Sequence, residues 1–377
     1  MHPVETAAEE TTTAARERER REVARACERF LQGDGPVPPR RTLAALAEEA
    51  GEDEEADFYG EGELIASFEH EIAGLLGKEA ALFLPSGTMA QQIALRIWSE
   101  RTGRATFACH PTCHLEESEE KGYAWLHRLH AKLVGNARTL ITLDDLHYVR
   151  EPIAALVLEL PQRHLGGQLP AWEELTQQTA WTRTKHAYAH MDGARLWESA
   201  PFYDRAYAEI AALFDSVYVS FYKGIGGLAG AALAGPADFI AEAGVWRRRH
   251  GGTLIHLYPY VLAARAGLRR KLHRFPHYHQ RALAVAAALR DVPGVAIKPD
   301  PPQTHMMHVY LRGDRARMED AALAIAREEK AMLLRRLSPS DLPAVWMFEL
   351  AIGDGADAFS DEEIAAFFRR IVEAGGA

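Results

Sequence analysis

Lys223 ends a β-rich run, Asp215-Ser-Val-Tyr-Val-Ser-Phe-Tyr-Lys223, and Gly224, Gly226 and Gly227 follow it. Val217 to Phe221 favour a strand. A lysine at a strand end, trailed by glycines, is reachable from one side and can be approached closely by backbone. Such an amine can condense with an aldehyde and later yield to a substrate amine. A surface lysine in a glycine-rich turn has the same pattern, so its partners decide. Asp192 opens Asp-Gly-Ala-Arg195 after the apolar stretch Tyr188-Ala-His-Met191. A carboxylate there can face a cationic ring nitrogen and, at low dielectric, keep it protonated. The planar fork of Arg195 suits a phenolate or carboxylate oxygen. A salt bridge within a turn is the competing use of this pair. Pro85-Ser-Gly-Thr-Met89 lies between a strand pattern and a helix pattern. That layout points backbone N–H groups at an anion, with Ser86, Gly87 and Thr88 as a phosphate cradle. A plain turn with Ser or Thr as N-cap fits equally well. The lysine that ends a P-loop is absent. An aldehyde, a pyridine nitrogen and a phosphoryl group meet in pyridoxal phosphate, which a protonated ring nitrogen turns into an electron sink.

Cys109-His-Pro-Thr-Cys-His114 invites a metal reading. Zinc sites pair two such half-sites, and the chain has no second cluster, so no metal is expected. His114 has another use, as a ring lying on a flat cofactor with its second nitrogen available for proton transfer.

The elements that must position these residues alternate between strand and helix. Ala80–Leu84, Ala105–Ala108, Leu140–Thr142, Ile153–Leu158, Tyr188–Met191 and Val217–Phe221 read as strands, and Leu64, Phe68, Ile72, Leu75 and Leu76 recur at helical spacing. The alternation implies a mainly parallel sheet with ligands at the carboxyl ends of its strands. Thr88, Asp192 and Lys223 fall at or just past such ends. Three segments are expected: a charged N-terminal tail and helices over 1–57, whose acidic 52–57 stretch reads as a solvated loop, a large domain over 58–257, and a smaller α+β domain over 258–377. The last helix is expected over Asp361–Val372, begun by Ser360 as N-cap with Glu363 at N3.

The 377 residues suffice for one large or two moderate domains, and a net charge of −10 argues against nucleic acid or an anionic membrane as partner. Three cysteines, no apolar run of membrane-spanning length and no signal-peptide core point to the cytoplasm.

These motifs together resemble the threonine aldolase and β-eliminating lyase family of fold-type-I pyridoxal-phosphate enzymes. The resemblance runs from about Tyr59 to Gly252 through 77–90, His114 with Glu119 and Gly122, Glu159 with Gly166-Gly167, His190–Leu196 and Asp215–Gly226. It implies a large cofactor domain plus a small α+β domain, Lys223 holding pyridoxal phosphate covalently, and Gly87 and Thr88 on its phosphate. It further implies His114 stacked on the ring and acting as base, Asp192 paired with the ring nitrogen, and Arg195 by the phenolate or the substrate carboxylate. Dimers, often paired into tetramers, are implied, as is cleavage of a small β-hydroxy-α-amino acid to glycine and an aldehyde. β-Elimination, racemisation or transamination on the same cofactor are the alternatives.

The chain departs from the family in four places. The Arg-Ser-Asp-Thr segment has no counterpart. Glu-Asn-Thr-His-Asn becomes Glu159-Leu-Pro-Gln-Arg163, which puts Gln162 where a histidine is expected. Ile255 stands at a phosphate-binding arginine position, and Glu349 near that of an arginine gripping the α-carboxylate. A carboxylate repels a carboxylate, so Arg163 or Arg195 is expected to compensate, and the substrate is expected to differ from plain threonine.

Overall fold

In the computed structural model, residues 7–33 and 35–376 are described. Residues 1–6 and Asp34 of the segment expected over 1–57, and Ala377, lie outside them. The chain forms two compact units, Thr42–Pro276 and Met1–Arg41 joined with His277–Ala377.

The 42–276 unit is built on seven strands: β1 (Ala80–Leu84), β2 (Thr106–Cys109), β3 (His130–Leu133), β4 (Ala155–Glu159), β5 (Tyr188–Gly193), β6 (Ser216–Ser220) and β7 (Ala231–Gly235). Their order is β1-β7-β6-β5-β4-β2-β3. The run from β6 to β3 is parallel throughout, and β7 is antiparallel to both neighbours. β4, β6 and β7 are buried along their whole length, which is why they read as near-continuous apolar or small-residue runs. Register sets Glu159 opposite Asp192 and Asp192 opposite Tyr218. Glu159 and Asp192, near the ends of their strands, thus share one neighbourhood with Tyr218 from the middle of β6.

The helix Gly87–Thr102 covers this sheet, with Ser86 as N-cap accepting from the Met89 amide at 3.3 Å. It starts at Gly87, directly after this cap. Its Trp98 is fully buried and stacks on Tyr188 and Phe239 at 3.9 and 4.3 Å between ring centroids. Leu140–Thr142 is not a strand. Thr142 caps the short helix Leu143–His147 in a reciprocal box with Asp145, a local arrangement that competes with sheet pairing.

The unit containing 277–377 carries a four-stranded antiparallel sheet of β8 (Val295–Lys298), β9 (Met306–Arg312), β10 (Ser338–Pro339) and β11 (Val345–Ala351), ordered β10-β11-β9-β8. Its last helix, Asp361–Ala374, is capped by Ser360, whose hydroxyl accepts from the Glu363 amide at 3.1 Å. Ile364, Phe367, Phe368 and Ile371 of this helix pack on Val309, Leu311 and Leu350 of the sheet.

Candidate functional site

Lys223 lies just past the carboxyl end of β6, and its side chain is largely enclosed. Burial first, and the Arg195 guanidinium second, hold its amine below the ordinary lysine range; Asp192 and Glu159 oppose this, and Arg163 adds to the depression. Charged groups from the ends of β4 and β5 therefore converge on one nitrogen. An amine with lowered basicity carries a lone pair more of the time near neutral pH, as a nucleophile needs. Its ammonium also sits 5.9 Å from the Tyr222 ring centroid.

Asp192 is buried at the carboxyl end of β5. One carboxylate oxygen accepts from the Ala194 amide at 3.1 Å and the other from the Gln91 side-chain amide. Beside it, Tyr218 reaches from β6 to the start of the Gly87–Thr102 helix. A Cβ added at Gly87 would overlap the Tyr218 hydroxyl, so glycine there is a steric requirement and not a turn requirement. Burial, followed by the charge of Asp192, raises the Tyr218 phenol above its usual range, and Tyr222 and Glu119 act in the same direction. Gly87 is buried and Thr88 half-buried, and the first-turn N–H groups of this 16-residue helix have no acceptor within it.

His114 opens a four-residue helix after the loop leaving β2. Its Nδ1 and a Glu119 carboxylate oxygen are 2.9 Å apart. A carboxylate oxygen accepts, so Nδ1 bears the proton and Nε2 offers a lone pair in the neutral ring. The other oxygen of Glu119 is buried with no hydrogen-bond partner. Cys109 and Cys113 are buried free thiols, and His110 turns away to the Thr139 carbonyl at 2.9 Å.

Gln162 is buried and donates to Glu159 at 3.2 Å and to the Thr112 carbonyl at 3.3 Å, tying the loop after β4 to the His114 loop. The Arg163 amide donates to the other Glu159 oxygen at 3.1 Å. Burial, then the Asp192 carboxylate, push Glu159 up to about 7. Arg195 lies 3.9 Å from Glu198. Ile255 is 52% exposed, and its carbonyl accepts from the Tyr59 amide. Glu349 lies on β11 opposite His308, in the unit containing 277–377.

Of the residues named from sequence, Asp192, Arg195 and Arg163 act on the Lys223 amine, Gly87 meets Tyr218 beside Asp192, and Ser86 serves as N-cap. Tyr218, Gln91 and Glu159 join them. Tyr218 and Glu159 sit at strand positions level with Asp192, a pairing signal that only strand register reveals.

Residues 39–312 match the model of the beta-eliminating lyase family. The chain belongs to the beta-eliminating lyase family. It is a pyridoxal-phosphate-dependent enzyme with the fold-type-I architecture. Relatives within and around this family agree. The low specificity L-threonine aldolase of Escherichia coli K12 is 29% identical over 298 residues, 76% of this chain and 85% of that protein. A Listeria monocytogenes protein assigned as an L-allo-threonine aldolase is 39% identical, with a TM-score of 0.90 over 95% of this chain and 99% of that one. A protein from Exiguobacterium sp. 255-15, assigned as an aromatic amino acid beta-eliminating lyase or threonine aldolase, is 38% identical with a TM-score of 0.89 over 94% of this chain and 99% of its own.

The residues present fit the family's cofactor. Lys223 offers an amine of lowered basicity at a strand end, Asp192 a buried carboxylate one strand away, and the Gly87–Thr102 helix an N-terminus whose first-turn amides have no acceptor within the helix.

Proposed function

We propose that this beta-eliminating lyase family member cleaves a small β-hydroxy-α-amino acid to glycine, or its analogue, and an aldehyde. The observation that carries this reading is the convergence of Asp192, Glu159, Arg195 and Arg163 on the Lys223 amine, in a unit that also holds a histidine whose tautomer is set by Glu119.

Lys223 would hold pyridoxal phosphate, with Asp192 facing its ring nitrogen and the amides at Ser86, Gly87 and Thr88 receiving its phosphate. When bound, that group supplies a sink for the electrons of a broken bond at the amino acid's α-carbon. His114 would lie along the ring. Because Glu119 accepts a hydrogen bond from the Nδ1–H, Nε2 is the atom that accepts the β-hydroxyl proton, directly or through a water, as the carbon–carbon bond opens. General-base help of this kind is worth about 10²–10⁴-fold. Arg195 and Arg163 would receive the substrate carboxylate, in place of the arginine absent at Glu349. Gln162 holds Glu159 and the Thr112 carbonyl, which positions the wall of the site between them.

The relatives named as threonine aldolases support this reaction, and the Gln162, Ile255 and Glu349 departures support a substrate other than plain threonine. Incubation with threonine, allo-threonine and phenylserine tests both. Aldehyde and glycine are expected, with threonine turned over poorly. Pyruvate and ammonia, or an inverted amino acid, would replace the aldol reading by elimination or racemisation.

A homodimer or homotetramer is the assembly this reading favours. Phe58 and Tyr59 are 61% and 47% exposed, their rings are 4.7 Å apart, and Tyr59 is bonded to the exposed Ile255, an apolar patch that a second copy would cover. The cytoplasm is the compartment it favours, on the strength of three free buried cysteines. No helix among the described residues is long and apolar enough to cross a membrane.

A further inference from the structure

One residue of its own strand, two helix residues and one residue of the next strand line up behind Asp192. His190 and Asp192 are two apart on β5 and so face the same side of the sheet. Gln91 and Trp98 are seven apart on the helix covering that side, two turns along one face. Ser216 is the register partner of His190 on β6. All five are buried.

Their hydrogen bonds run in one direction. The Trp98 indole N–H donates to the Ser216 hydroxyl oxygen at 2.8 Å. His190 Nδ1 is 2.8 Å from that same oxygen, and His190 Nε2 is 2.8 Å from Gln91 Oε1. Gln91 Nε2 donates to Asp192. An amide oxygen cannot donate, so His190 Nε2 carries a proton. Burial holds the His190 ring down to about 3, opposed only by the Ser216 backbone, so the ring is neutral and Nδ1 is an acceptor. The Ser216 hydroxyl then donates to Nδ1 while accepting from Trp98. Every group has one role, and reversing any link would set two donors or two acceptors face to face.

We propose that Gln91 and His190, backed by Ser216 and Trp98, are positioning residues that hold the Asp192 carboxylate in the one orientation that serves the cofactor's ring nitrogen. The proposal rests on the assignment of Asp192 given above. The chain of donors contains no group that titrates near neutral pH; Glu159, the register neighbour of Asp192 raised to about 7, lies outside it, so the relay's protons keep their places across the working range. Flipping the Gln91 amide would point an oxygen at Asp192, and the neutral, Nε2-protonated His190 is what forbids the flip.

Nitrogen-15 NMR of histidine-labelled protein reads the relay directly, with the His190 signals assigned by their absence in His190→Gln. A neutral ring protonated at Nε2, unchanged from pH 5 to 8 with or without pyridoxal phosphate, is expected. A cationic ring or an Nδ1-protonated tautomer in that window overturns the relay. Visible absorbance titration with pyridoxal phosphate reads the consequence. Loss of one hydrogen bond to a charged group raises the cofactor dissociation constant of Gln91→Leu about tenfold to a hundredfold. His190→Leu moves the same way, and His190→Gln, which keeps a donor near the Nε2 position, recovers much of the affinity. A merely structural role would lower the unfolding temperature of both His190 variants without separating their affinities, and that result also overturns the proposal. Asp192→Asn separates the two levels. If it binds the cofactor as tightly as the parent, the Asp192 assignment falls and takes the relay with it. If it binds weakly while Gln91→Leu binds normally, the assignment stands and the relay alone is wrong.

Discussion

Replacing Glu159 by glutamine should change how stability depends on pH. Glu159 is buried beside Asp192, and its carboxyl is raised from 4.5 to about 7, mainly by burial. A carboxyl raised on folding contributes stability that is fully present below its unfolded value of 4.5 and lost as pH rises through about 7. With 1.36 kcal/mol per unit, the folded state loses about 2.5 kcal/mol between pH 5 and pH 8 through this one group. The side-chain amide of Glu159→Gln does not titrate, so the variant escapes the loss. It keeps an acceptor for the Arg163 amide and loses the one for Gln162, a cost of the same size at both pH values. The Glu159 carboxylate also supports the Lys223 ammonium, a coupling already contained in the raised value of about 7. Urea unfolding of the cofactor-free proteins at pH 5 and pH 8, followed by tryptophan fluorescence, gives the stability gap. The gap should shift by about 2.5 kcal/mol in favour of Glu159→Gln at the higher pH. A gap that stays constant, or moves the other way, refutes the reasoning, because Glu159 would then be ionised and well satisfied.

Two further outcomes follow from the site and its support. Trp98→Ala removes a fully buried ring stacked between Tyr188 and Phe239 and should cost about 3–5 kcal/mol in urea unfolding at neutral pH. Glu119→Leu leaves His114 Nδ1 without its acceptor and should lower kcat about tenfold to a hundredfold, part of the usual general-base contribution, with a smaller change in KM.

The strand and helix alternation of the cofactor unit was legible because β4, β5 and β6 are buried, apolar and bounded by turns. Two strands were not. β3 carries His130 and Lys132 in four residues with no buried position, and β7 is Ala-Ala-Leu-Ala-Gly, whose small residues carry no β-branched or aromatic signal. Both are held by their neighbours in the sheet, which tertiary pairing alone supplies. The acidic stretch at 52–57 read as solvated, yet Asp57 is fully buried. It accepts from the Gly60, Leu257 and Tyr258 amides at 3.0, 2.8 and 2.8 Å, the last two some 200 residues away in sequence, and Glu54 pairs with Arg265 at 2.8 Å. Charge composition could not separate a clamp from a loop there. Within the site, Lys223, Asp192 and the Ser86–Thr88 turn announced themselves by strand ends and glycines. Gln91 and His190 did not, because a buried glutamine on a helix and a histidine within a strand acquire meaning only when register and helix phase bring them behind Asp192.

The central claim is that one amine, Lys223, bears the cofactor. Borohydride reduction of the protein loaded with pyridoxal phosphate, followed by peptide mass mapping, tests it most directly. The account predicts a pyridoxyl adduct on the peptide containing Lys223, and none in Lys223→Ala. An adduct on another lysine, or an unmodified Lys223 in protein that has taken up the cofactor, would contradict it.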